Sequence, residues 1–335
     1  MHPRSAVAAR RVRALTFCAG SVPAALLLPR AGWLWTLAAS ALSGGLLLLC
    51  RRRAARPSRW LDALGLVWTL LALGAAARRL CASFPQQESL AVGLLLLLLA
   101  VYASARGEQV LMRTGAVCCL LLAGLFGLLL LFTLPTVHAA WLRPRVQPDW
   151  SVLPYALLPL ASLSLRPDAP RVVHPGAAPR AVSPRRRNRR ALRPAHRQSG
   201  HEAIWAGANV LLATLCALTA AGCLSPQVAA ATPFAFYEAM KSGSLMGVME
   251  HVEPLVSAAL TVGGFALLGL LCAVSARQMQ RAAPRLSAHA GLCGLLGGLA
   301  GFALAPLLPT ACFAVGATIF WGLVPLAELI RGFQK

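Results

Sequence analysis

The residues of this chain that could make or break bonds are few, and they do not assemble. HEAIW (201–205) offers a His and a Glu but lacks the second His that completes a zinc-protease helix. GAVCC (115–119) and LCGLLGG (292–298) lack the Lys of a phosphate-binding loop. No Ser, His and Asp gather as a hydrolase needs. Of ten cysteines, Cys18, Cys118, Cys119, Cys216, Cys272, Cys293 and Cys312 fall within apolar runs. None has a metal-ligand spacing, and adjacent Cys118 and Cys119 would point to different helix faces, so they are expected to act as small buried hydrophobes without zinc or disulfides. The expectation is a protein that is not an enzyme and carries no cofactor or metal. What remains is the chemistry of interrupted backbone. ALTFCAGSVPAALLLP (14–29) holds Gly20, Ser21 and Pro23 at its middle, and WSVLPYALLPLASLSL (150–165) holds Pro154 and Pro159. Where a membrane helix unwinds, free N–H groups can hold a carboxylate and free carbonyls an amine or ion. Gly20 and Ser21 permit close backbone approach, and Tyr155 adds a hydroxyl. The candidate ligand site is therefore Gly20, Ser21, Pro23, Pro154 and Tyr155.

These segments belong to a chain of 335 residues that is 58% hydrophobic and only 13% charged, with a mean hydropathy of +0.66. A soluble domain carries about a quarter charged residues. Apolar runs of membrane-crossing length recur from end to end, and runs such as LAVGLLLLLLAVYA lack the alternation of a β-barrel strand. The fold class is all-α, an integral membrane protein. Ten spans are expected at 14–29, 32–50, 60–80, 89–105, 114–134, 150–165, 203–224, 254–276, 286–306 and 309–330. With the N-terminus cytoplasmic, 26 of the 32 Lys and Arg residues fall on the cytoplasmic side and 6 on the other, as the positive-inside rule requires. Adding or dropping one helix destroys that agreement. Both termini (1–13 and 331–335) are thus expected inside. The Arg/Pro-rich stretch 166–202 divides the spans five and five, and two successive five-helix units must be inverted copies.

The net charge of +22 is a property of that topology. SPRRRNRRALRPAHR (183–197) lacks interleaved aromatics for stacking on bases. It is expected to be a disordered cytoplasmic loop attracted to anionic lipid rather than to nucleic acid. Carboxylates within the spans are sparse: Asp62 and Glu328 near helix ends and Glu88 at a mouth, where interfacial roles are expected, so a carboxylate proton relay is not indicated. Three of the ten acidic residues, Glu238, Glu250 and Glu253, share the stretch 232–256. The segment 226–253 is expected outside, with Leu245, Val248, Met249 and Val252 forming the apolar stripe of an amphipathic helix over 244–253.

Four stretches together resemble one family. RVRALTFCAGSVPAALLLPRAGWLW (11–35) resembles the opening of the spore germination permeases, the B-type subunits of nutrient germinant receptors within the amino acid–polyamine–organocation superfamily. VYASARGEQVLMRTGAVCCLLLAGLFGLLLLFTLP (101–135) is similar to that family's fourth-to-fifth span junction through Tyr102, Ala103, Gly107, Glu108, Val110, Arg113 and Thr114. FAFYEAMKSGSLMGVMEHVEPLV is similar to its outer segment through Phe236, Glu238, Ala239, Ser244, Leu245, Val248, Glu250, Val252 and Glu253. IFWGLVPLAELIRGFQK resembles its C-terminal helix and basic tail. The 166–202 loop is longer and more basic than the family's, and the chain is shorter. The resemblance implies a ten-span inverted-repeat transporter fold and a small nutrient ligand, an amino acid. It also implies partnership with a larger membrane subunit and a lipoprotein in the inner membrane of the endospore. It gives Glu238, Glu250 and Glu253 a place on an outer lid or partner surface. A working amino-acid permease of the same fold, or a scaffold subunit without ligand, fits the same residues.

Overall fold

The computed structural model describes residues 3–26, 28–53, 58–82, 89–142, 153–165, 195–232, 234–242, 253–308 and 310–333. Among them every regular element is helical. The long helices are α1 (Pro3–Leu26), α2 (Trp33–Arg53), α3 (Arg59–Ala82), α4 (Ser89–Ala105) and α5 (Glu108–Thr133). The second half holds α6, with an α-turn Leu153–Ala156 and a 3₁₀ stretch Leu158–Leu165, then α7 (Ala195–Leu224), α8 (Glu253–Ala282) and α9 (Ala290–Leu304). Last comes α10, which runs Thr310–Ala317, passes through a π-turn at Thr318–Leu323 and ends as Val324–Phe333. Each of the ten expected spans coincides with one of these segments. Six are long and apolar enough to cross a membrane, and α4, α6 and α9 are shorter apolar helices.

Helices are the solution here because a chain in hydrocarbon must satisfy its backbone within each segment. Side-chain hydroxyls inside the apolar runs obey the same rule. Thr16, Thr214 and Thr219 each donate to the carbonyl one turn back, at 2.7–2.8 Å. The outer surface is apolar: Leu120, Leu131, Leu296 and Leu64 are all more than half exposed, as suits a protein whose solvent is lipid. Trp60 stands out from the start of α3 at 82% exposure, the position of an interfacial aromatic.

α1 occupies the middle, packed against α5, α7 and α8, while α3 lies between α8 and α9 and α2 lies along α7. Cys18, Ala19 and Ser21 of α1 have no exposed surface. Small residues allow the closest approaches. A Cβ on Gly74 of α3 would stand 2.1 Å from the Gly298 carbonyl and 2.2 Å from the Phe302 nitrogen of α9. The α4–α5 turn depends on Gly107, whose φ of +110° an L side chain rarely adopts. Beside it, Arg106 Nη2 donates to the Tyr102 hydroxyl at 2.7 Å on the exposed surface.

Two features differ from the sequence expectation. α1 continues as α-helix through Gly20, Ser21 and Pro23 without unwinding. α7 begins at Ala195, within the stretch read as loop. The remainder of the basic run, and all but Glu253 of the amphipathic helix expected over 244–253, lie outside the described residues.

Gly74→Val should lower stability by about 3 kcal/mol or more, since it drives one helix backbone into another. Gly45→Val should be nearly neutral, because nothing lies within 4 Å of a Cβ there. Thermal unfolding of the two variants in detergent tests the α3–α9 contact, and equal midpoints would show that it is not made.

Candidate functional site

The sixth span breaks for a local reason. Pro159 has no N–H, so it cannot close the helical bond to the Tyr155 carbonyl, and proline disfavours α geometry at Leu158 before it. The chain tightens instead to i→i+3 bonds, with Leu160 N–H donating to the Leu157 carbonyl at 2.9 Å. Ser162 Oγ then donates to the Pro159 carbonyl at 2.7 Å. Pro23 leaves the corresponding vacancy at the Ala19 carbonyl of α1, although that helix holds its course. Ser21 Oγ donates to the Cys18 carbonyl at 2.5 Å.

A cavity lies where these two interrupted ladders meet α2 and α7. It is lined by Gly20, Ser40, Ser43, Tyr155, Pro159 and Asn209, with small apolar neighbours, and holds about 30 Å³. That is room for about two waters. None of its lining residues is ionisable except the tyrosine. Asn209 is the feature the sequence reading missed. Its Oδ1 is buried without a hydrogen-bond partner and lies against Gly20, 2.8 Å from where a Cβ would be. A buried amide oxygen left unpaired costs about 1–3 kcal/mol. The available signal was compositional: Asn209 is one of two asparagines in the chain and sits inside an apolar run.

The expected site residues divide. Gly20 and Tyr155 line this cavity. Ser21, one residue on, turns to the opposite side, and a Cβ on Gly263 of α8 would stand 3.3 Å from its Oγ. Pro154 is buried at the second position of the α6 turn, where a missing N–H is harmless, and it does not line the cavity. Pro23 acts only through the backbone.

Tyr155 is held from the other side. Arg79 of α3 donates to its hydroxyl and stacks on the Phe313 ring of α10, 4.2 Å from guanidinium carbon to centroid. Phe313 joins Trp68, Phe320 and Trp321 in an aromatic cluster. At the opposite, arginine-rich end of α6, Arg51 of α2 donates to Ser162 Oγ at 3.2 Å and to Glu202 of α7 at 3.3 Å. Arg281 of α8 donates to the Ser164 carbonyl at 2.7 Å and pairs with Asp62 of α3 at 3.4 Å. Arginines therefore grip the broken helix at both ends. Asp62 and Glu328 are both nearly fully buried, and Glu328 pairs with Arg331 at 3.3 Å.

Of the proposed outer carboxylates, Glu238 lies on a short helix, Ala235–Ser242. That helix is packed against α1, α7 and α8 with Phe236 and Met240 fully buried. Phe236 meets the Phe126 ring of α5 at 6.1 Å. Glu238 itself is half-buried and partnered. Glu253 begins α8, and Glu250 lies outside the described residues.

No known protein family and no curated protein sequence matches the chain. Among solved structures it is similar to Mhp1, a nucleobase-cation-symport-1 family transporter in a closed conformation with bromovinylhydantoin bound. The sequence identity is 12% and the TM-score 0.41. The match covers 94% of this chain and 66% of that one, so the chain spans about two thirds of that transporter's length.

Tyr155→Phe removes the acceptor of the Arg79 hydrogen bond while keeping the ring. A hydrogen bond to a charged donor contributes about 1.5–3 kcal/mol, and its being only part-buried places the expected loss at the lower end. A stability equal to wild type in chemical denaturation would show that Arg79 does not hold α6.

Proposed function

We propose that this protein is a transporter-type membrane subunit that binds a small nutrient of zero net charge, an amino acid zwitterion, in the cavity between α1, α2, α6 and α7. The observation that carries the reading is the unpaired Asn209 carbonyl facing Gly20 in a cavity without charged side chains. An amide oxygen there accepts from an ammonium or N–H group, and the Tyr155 carbonyl freed by Pro159 offers the same chemistry. The cavity holds about two waters, so the ligand enters a more open state. A ligand that prefers one state tenfold shifts the balance by about 1.4 kcal/mol, which is how binding becomes a signal.

The finer reading rests on the resemblance of 11–35, 101–135, the outer segment and the C-terminal helix. The subunit is the permease-like component of a spore nutrient germinant receptor. It is multi-pass in the endospore inner membrane with cytoplasmic termini, and it works beside a larger membrane subunit and a lipoprotein. In this reading Glu238, Glu250 and Glu253 form the outer lid or partner-facing surface, and the arginines at 183–197 meet anionic lipid. The small cavity favours one rival, a scaffold subunit that takes no ligand. A working permease of the same fold is the other.

Spores lacking the chain should fail to release dipicolinate in response to one or a few single amino acids, and the full-length protein in nanodiscs should bind those same compounds. Asn209→Leu should weaken that binding at least tenfold, the loss of about 1.5 kcal/mol expected for one hydrogen bond to a charged group. Unchanged germination in a strain without a redundant copy sinks the receptor reading. Net uptake into vesicles makes the protein a permease, and absence of any amino-acid binding makes it a scaffold.

A further inference from the structure

Arg10, Arg11 and Arg13 stand together in the sequence, and the sidedness of charge accounts for all three alike. The structure separates them. Arg10 is exposed and Arg11 half-buried, whereas Arg13 keeps only 6% of its surface. Its Nε and Nη1 are sealed from solvent without a hydrogen-bond acceptor. A guanidinium cannot relieve this by losing its proton.

The ionised groups around Arg13 are Glu202 on α7, Arg51 on α2 and Arg10 on its own helix. Glu202 already engages Arg51 through Oε1 at 3.3 Å, and Arg51 reaches on to the Ser162 hydroxyl at 3.2 Å. Two largely buried arginines thus share one carboxylate, and that carboxylate is committed to the other arginine. An unmatched buried charge is costly, and the sidedness of the chain does not require one at this position. Arg11 and the exposed Arg10 mark the same side without that penalty.

We propose that the arginine-rich end of α1, α2, α6 and α7 is a binding site for a phosphate-type oxyanion, held by the guanidinium groups of Arg13 and Arg51. Guanidinium groups are planar forks that match the several oxygens of a phosphate better than a monatomic anion. The phosphate belongs either to an anionic phospholipid at the membrane surface or to a free ion. The chain holds one rival for the place: Asp168, three residues beyond the end of α6 at Leu165 and outside the described residues. The site is independent of the cavity at Asn209.

The test is thermal unfolding of the full-length protein in nanodiscs of three kinds, at constant ionic strength. One is phosphatidylcholine alone, one is phosphatidylcholine with phosphatidylglycerol, and one is phosphatidylcholine with added inorganic phosphate. Binding to the folded state raises the midpoint, so wild type should melt several degrees higher with one of the two anions. The arm that responds identifies the source. Arg13→Gln should abolish the response and melt no lower than wild type in phosphatidylcholine alone, because it removes an unmatched charge. Arg13→Lys, which keeps charge but loses the fork, should need about tenfold more anion. Arg285→Gln, at an exposed arginine of the same end, should respond like wild type. No rise with either anion overturns the proposal, as does an equal rise in Arg13→Gln. A response seen only in Asp168→Asn overturns it too, by showing that the aspartate fills the site.

Discussion

The rest of the structure depends on the requirement that backbone polar groups in hydrocarbon find partners within their own segment. Most of the principal segments meet it with helical ladders, and α1 holds its helical course even across the one bond that Pro23 removes. α6 does not, because Pro159 interrupts the ladder in a stretch too short to recover as α-helix. The consequence is local: a carbonyl without its donor, a tightened 3₁₀ turn and a hydroxyl from Ser162 that recaptures part of the loss. The cavity lined by Gly20, Tyr155 and Asn209 sits beside that break.

A broken helix also needs external support, and charge supplies it. Arg79 holds the start of α6 through Tyr155, and Arg51 and Arg281 hold its end through Ser162 and the Ser164 carbonyl. Their counter-ions, Glu202 and Asp62, come from α7 and α3. These contacts tie α6 to four other helices from both sides, and they close the bundle around a space no larger than about two waters. A ligand has to work against such contacts to enter, which connects the packing of α6 to any shift between states. The arrangement makes sense of a chain with so few acidic residues: Asp62, Glu202 and Glu328 are each paired with an arginine, and no carboxylate lines the cavity.

The cysteines and glycines show the same division of labour on the apolar side. Cys18, Cys216 and Cys272 are buried to the last few per cent as small hydrophobes within helices. Gly74 and Gly301 let α3 and α9 approach until backbone meets backbone. Both residue types set how closely helices pack, and so where space remains.

The all-helical class, the places of the apolar segments in the chain and their apolar character were legible from the sequence. They follow from proline, glycine and mean transfer energy, which act within a segment. The break at Pro159 was legible for the same reason. The continuity of α1 through Pro23 was not, because the packing of α5, α7 and α8 around it decides whether one missing hydrogen bond unwinds a helix. Nor could the sequence say that Gly20 faces the cavity while Ser21 faces α8, that Asn209 closes the pocket, or that Arg13 is buried while Arg10 is exposed. Each is a matter of how a helix is rotated about its axis. A helix that is apolar on every side carries no stripe to orient it, so only contact with its neighbours decides which residues look inward.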